Sequence, residues 1–163
     1  MESVPSSSLP VASDLFDAAR ARLAGAPTEG LGEWASARRL LGFGRAPRIV
    51  RVGEAWHVGA LLIADDAVYA TGEVLRARHD AIRGYTAQSQ RERSERAAAA
   101  FRGGFAEGET VHIGWTPVDV AAVDAGGASG PLSVVDGVAC IRWSATAQLR
   151  PLADYLDEQL SLR

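Results

Sequence analysis

Three histidines and one cysteine carry most of the reactive chemistry open to this chain: His57, His79, His112 and Cys140. Two of the histidines share a setting. His57 stands in "WHVG" and His112 in "VHIG", each two residues before a glycine in a run of β-formers. Side chains at i and i+2 of a strand face the same side, so His57 shares a face with Gly59, and His112 with Gly114. A two-residue turn at Asp65-Asp66 pairs Ala64 with Ala67, and that register sets Gly59 opposite Gly72 and His57 opposite Val74. Paired glycines leave a dent in a sheet, and a dent beside an imidazole is a floor for a small ligand. The candidate ligand-binding residues are therefore His57, Gly59, Gly72 and Gly114, with His112 at their edge. Two histidines joined by a carboxylate would form an open metal site. No H-x-x-x-H or C-x-x-C spacing points to one, however, so neither a metal nor another cofactor is expected. The competing expectation is that the glycines admit a close-packed helix and the histidines belong to the core.

Other constellations are incomplete. Cys140, between Ala139 and Ile141, reads as a small core residue of a strand, with nucleophile as its reactive alternative. Ser129 in "GGASGPL" lacks the second glycine of a G-x-S-x-G elbow, and a proline and a strand follow where that elbow needs a helix. "GFGRAP" is a G-x-G without a third glycine or a following helix, hence no dinucleotide fingerprint. All 17 basic residues are arginine. Without lysine there is no Schiff base, no lysine general base and no P-loop. No catalytic residue is assigned.

One stretch concentrates charge. Arg76 to Arg102 holds seven arginines against Asp80, Glu92 and Glu95, an excess of four in a chain of net charge −3. The rest therefore carries −7, which repels a long polyanion. Ser89 and Glu92 have the spacing of a capping box, so a helix is expected from about Gln90 to Arg102. Arg91 with Glu95 and Glu92 with Arg96 are spaced for ion pairs along it. The expectation is a helix whose arginines lie largely in water, with Ala97 and Phe101 docking on a sheet. Nucleic-acid binding through it is a minor alternative, because no aromatics interleave with the arginines.

The elements that must position these residues follow from spacing and turn chemistry. A first helix is expected over Ser13 to Gly25, capped by Ser13 or Asp14, with Leu15, Ala19 and Leu23 on one face beside Phe16. "GAPTEGLG" reads as a linker and "EWASARRLLGF" as a second short helix. "RIVRV", "AWHVGALLIA" and "AVYATGEVLRA" read as a three-stranded meander with connections at Gly53-Glu54 and Asp65-Asp66. "TVHIGW" is a further strand, and Thr116 to Gly130 is irregular. "LSVVDGVACIRW" is a hairpin turning at Asp136-Gly137, and a last helix begins near Pro151. The sum is α+β: a mostly antiparallel sheet of about six strands, free to curl, with helices at the start, middle and end. Residues 1–12 are expected to be a flexible tail and 13–163 one domain. The start has no basic region or long apolar stretch, and no apolar run reaches the ~18 residues of a membrane span. The lone cysteine excludes an internal disulfide, and a cytoplasmic home is expected.

On "AWHVGALLIADDAVYATGEVLRAR" and "RGGFAEGETVHIGW" the chain resembles a group of small uncharacterised proteins from GC-rich bacteria that carry a glutaminase label. The resemblance implies amide hydrolysis, with Cys140 or a histidine-bound water as the attacking group. The chain departs from the known glutaminase patterns. S-x-x-K cannot occur without lysine, "VACIR" is not G-x-C-x-G, and Glu2 stands where an amino-terminal nucleophile would. The leading expectation is a binding or regulatory module without chemistry of its own, taking a small-molecule ligand, a protein or a second copy of the chain as partner.

Overall fold

A computed structural model describes residues 8–35, 46–82, 84 and 87–163. In chain order its elements are α1 (Ala12–Leu23), β1 (Glu29–Trp34), β2 (Ile49–Val58), β3 (Leu61–Ile63), β4 (Val68–Ala70), β5 (Glu73–Arg76), α2 (Gln88–Arg102), β6 (Thr110–Ile113), β7 (Thr116–Pro117), α3 (Val120–Asp124), β8 (Leu132–Val135), β9 (Val138–Ile141), β10 (Arg150–Pro151) and α4 (Leu152–Ser161). The class is α+β. A seven-stranded sheet has the order β5-β6-β1-β2-β3-β4-β7, and a three-stranded sheet has the order β10-β9-β8. Most pairs are antiparallel, while β1 and β6 run parallel. Both sheets end in edges and neither closes into a barrel.

Two compact units make up the chain: Met1–Ala26, His57–Ala70 and Pro117–Arg163 form one, and Pro27–Trp56 and Thr71–Thr116 the other. The core of the second unit joins Ile49, Leu75, Ala77, Val111 and Ile113 of the strand region to Ala99 and Ala100 of α2 and to Phe105. β1 lies where a linker is expected. Its "EGLGEW" puts glycines at alternate positions, and neighbours use the space: a Cβ on Gly30 would stand 2.6 Å from Phe105, and one on Gly32 2.7 Å from Ile49. Strand pairing outweighs the low β-propensity of glycine here because the missing side chains let the core close over the strand. Glu33 and Trp34 are thus strand rather than helix, and 36–43 of the expected second helix lie outside the described residues. Gly53-Glu54 is no turn either. β2 runs through it, and the extra residue appears as a register shift opposite Leu31/Gly32.

α2 starts at Gln88 behind Ala87, with no side-chain cap, so the expected box at Ser89 does not form. Its alanines do pack as expected: Ala97 to Ala100 are buried, and so is Ser94, whose Oγ accepts from the Ile82 N–H at 2.6 Å. At its end a Cβ on Gly103 would fall 1.6 Å from the Ile49 carbonyl oxygen, so helix and strand backbones meet directly there.

In the first unit, α1 buries Ala12, Phe16, Ala19 and Leu23. Neither Ser13 nor Asp14 caps it; the Ser13 N–H instead donates to Asp124 Oδ1 at the end of α3, at 3.0 Å. α3 itself lies in the stretch expected to be irregular, and Asp119 caps it by accepting from the Ala122 N–H. The Asp65-Asp66 turn forms as expected, with Ala64 N–H donating to Ala67 O at 2.8 Å and Arg20 Nε donating to Ala64 O at 2.8 Å. The Asp136-Gly137 hairpin also forms. Both turn residues have positive φ, 50° and 76°, as a type I′ turn requires. α4 buries Leu152, Tyr155 and Leu156.

Candidate functional site

The long strand expected over "AWHVGALLIA" breaks at Gly59-Ala60, where the chain turns from β2 into β3. Gly59 adopts φ 58°, and a Cβ there would lie 2.1 Å from the Tyr155 hydroxyl, which accepts from the Ala60 N–H at 2.8 Å. Gly59 is therefore a turn glycine under a helix side chain. The run "AVYATGEVLRA" breaks at Thr71-Gly72 in the same way. The register expected from the Asp65-Asp66 turn holds over β3 and β4, from Ile63↔Val68 to Leu61↔Ala70, and the strands end before it reaches Gly59 and Gly72. Val74 lies opposite His112, not His57, because β5 pairs with β6. Gly72 instead meets the neighbouring backbone: its Cβ would come within 2.3 Å of Ile113 O and 2.5 Å of Gly114 O. Gly114 has φ 66° and open space beside it.

His112 is brought to Glu29, and not by the meander. Glu29 of β1 faces Ala55 of β2, and Leu31 faces both Gly53 of β2 and His112 of β6. Partners across a ladder share a face, as do residues two apart along a strand. Glu29 and His112 therefore project from one face. His112 is fully buried, and its Nε2–H donates to Glu29 Oε2. A buried imidazole without such a partner would be costly. His57 is half-buried, and its Nε2–H donates to Gly59 O at 2.9 Å. A carbonyl oxygen only accepts, so the lone pair of the neutral His57 ring sits on Nδ1.

Sequence spacing missed Glu29 because it stands in an apparent linker. The available signal was the alternation in "EGLGE", which keeps Glu29, Leu31 and Glu33 on one face of a strand. His79 lies elsewhere, exposed, with its pKa raised by a hydrogen bond and charge from Asp80.

A second feature of interest is a surface concavity of about 450 Å³ in the first unit, lined by Pro131, Ser133, Arg142, Trp143, Ser144 and Leu149 among others. Trp143 is 43% exposed and stacks on Tyr155 with centroids 6.0 Å apart. The Arg150 guanidinium lies 5.6 Å from the Trp143 ring centre. The exposed tryptophan beside an arginine, in "CIRW" at a strand end, was the sequence signal for it.

Cys140 is buried in β9, and its thiol donates to Val138 O at 3.4 Å. The arginines of α2 turn partly towards the strands: Arg93 Nη2 donates to Val74 O at 3.0 Å, and Arg96 pairs with Glu73 at 2.8 Å, both of its partners being under a third exposed. Arg102 reaches Pro47 O at 2.9 Å. No helix among the described residues is long and apolar enough to cross a membrane. No protein-family model matches the chain, and no curated protein or solved structure matches it either.

Proposed function

We propose that this chain is a binding module for a small organic anion, held in the concavity of the first unit. The observation that carries the reading is the composition of its lining: Arg142 supplies cationic donors, Ser133 and Ser144 supply hydroxyls, and Trp143 and Leu149 supply apolar contact. At about 450 Å³ the concavity falls within the ~300–1,000 Å³ of ligand pockets, which combine an apolar lining with a few polar groups. Arg142 is tethered by donating to Ala147 O at 2.6 Å, so its fork is held in place before a ligand arrives. A carboxylate on an apolar or aromatic body fits this chemistry. Thermal shift against a panel of small carboxylates should find a ligand, which at a hundred times its Kd would stabilise by about 2.7 kcal/mol. Arg142→Ala should abolish the shift. A shift retained in that variant would place the ligand elsewhere.

The second reading is amide hydrolysis, which the resemblance to glutaminase-labelled proteins implies. The contact of Glu29 with His112 favours it, since imidazole and carboxylate together can hold and deprotonate a water. Ammonia release from glutamine that persists in Cys140→Ala and stops in Glu29→Gln would establish it. Absence of turnover in the unmodified protein would remove it.

A further inference from the structure

We infer that the ligand of the concavity in the first unit is an aromatic or heteroaromatic carboxylate, its ring stacked on Trp143 and its carboxylate held by Arg142. The inference rests on the anion reading above and narrows it to one class of acid. It begins with charge. No acidic residue lines the concavity. Arg142 pairs with no carboxylate among the described residues, whereas Arg150 pairs with Glu158 at 2.5 Å. The charge of Arg150 is thus already met, and that of Arg142 is left for an incoming group. Arg142 Nη1 is tied to Ala147 O at 2.6 Å, which leaves Nε and Nη2 as a fork of parallel donors for one carboxylate. Ala147 is fixed in turn, its N–H donating to Ser144 Oγ at 3.1 Å. Ser144 keeps its own O–H to donate to a ligand oxygen.

Trp143 sets the shape of the rest of the ligand. Tyr155, itself buried, stacks on the indole with ring planes 22° apart. The Arg150 guanidinium lies 5.6 Å from the Trp143 ring centre and 5.7 Å from that of Tyr155, held there by Glu158. The indole plane is therefore fixed before any ligand arrives. With one face against a buried ring, the 43% of Trp143 that stays exposed belongs to its other face and its edge. That surface is flat, apolar and part of the concavity wall. A second aromatic ring laid on it gains an offset stack beyond the burial of area, whereas a saturated ring of equal size gains the area alone. Arg142 and Trp143 are consecutive, so their Cα atoms stand about 3.8 Å apart. An acid whose carboxylate sits on the ring, or close to it, therefore suffices to reach both.

The test compares benzoate with cyclohexanecarboxylate by NMR titration of the full chain. The two acids share charge and carbon count and differ in aromaticity. Benzoate should bind about 3- to 10-fold more tightly, the strength of one aromatic stack. Trp143→Leu should bring the two acids level, and Trp143→Phe should keep their order. Arg142→Ala should abolish binding of both. Circular dichroism checks that the variants are folded, and the comparison within the unmodified chain stands without them. Equal affinities in the unmodified chain, or a preference that survives Trp143→Leu, overturn the stacking and leave the anion site standing. Binding that survives Arg142→Ala overturns the place given to the carboxylate. Failure of both acids to bind the unmodified chain removes the anion reading and this inference with it.

Discussion

Glu109 shows how one carboxylate is held in place. Burial pushes its pKa up, but the hydrogen bond from Arg51, the Ala106 N–H and the Arg51 charge outweigh that, and the net shift is downward. Arg51 in turn lies 4.6 Å from the centre of the Phe105 ring, a residue of the core. With the folded pKa below the unfolded one, the stabilisation is fully present above the unfolded value of about 4.3 and is lost as pH falls through the folded value. Glu109→Gln should therefore lower stability at pH 7 and flatten the acid limb. Urea denaturation across a pH series reads this directly; parallel acid limbs in the two proteins would refute it. Gly59 makes a sharper steric case. Its φ of 58° and the Tyr155 hydroxyl 2.1 Å from a would-be Cβ both resist a side chain. Gly59→Ala should cost about 2 kcal/mol or more. Tyr155→Phe should cost about 1 kcal/mol, the net worth of one hydrogen bond.

At the scale of elements, α2 divides its arginines by burial. Arg96 and Glu73 form a pair with side chains 28% and 29% exposed, whereas Arg93 meets the Val74 carbonyl in an exposed position. Arg96→Ala should cost about 1–2 kcal/mol, and Arg93→Ala about 0.5 kcal/mol or less. Equal costs in thermal melts would mean that burial does not set the difference. Spacing gave away the helix itself, since alanine runs and the Gly103-Gly104 stop are local features. It could not give the cap, because the Ser89 side chain had alternatives that only the tertiary structure ranks. The same division explains β1. Glycines at alternate positions are a linker by propensity and a strand only when Phe105 and Ile49 arrive from elsewhere in the sequence to use the space. The Asp136-Gly137 hairpin and the Asp65-Asp66 turn were legible for the opposite reason, as their geometry is fixed within four residues. Of the Glu29–His112 contact, sequence showed His112 and its strand face. It showed neither Glu29 nor the register that joins the two, since both depend on β1 being a strand.

At the scale of the whole chain, each compact unit is assembled from separated segments. α1 binds the carboxyl-terminal region through Ser13 to Asp124 at 3.0 Å and Arg22 to Asp157 at 2.8 Å. A fragment covering Pro117–Arg163 thus lacks the helix that α3 and α4 pack against. Expressed alone, it should show a flat near-ultraviolet spectrum around Trp143, and a native-like spectrum would show that α1 is dispensable. The parallel pairing of β1 with β6 carries a kinetic consequence. Glu29 and His112 are 83 residues apart in sequence, and no hairpin can bring them together. Closing so long a loop has an entropic cost that only the finished ladder offsets. The contact is then expected to be absent from the folding transition state. Glu29→Gln should leave the refolding rate nearly unchanged and speed unfolding, so that the loss of stability appears almost wholly in the unfolding limb of a chevron plot. The His112–Glu29 contact would on this account be a latch, set last as the protein folds and released first as it comes apart.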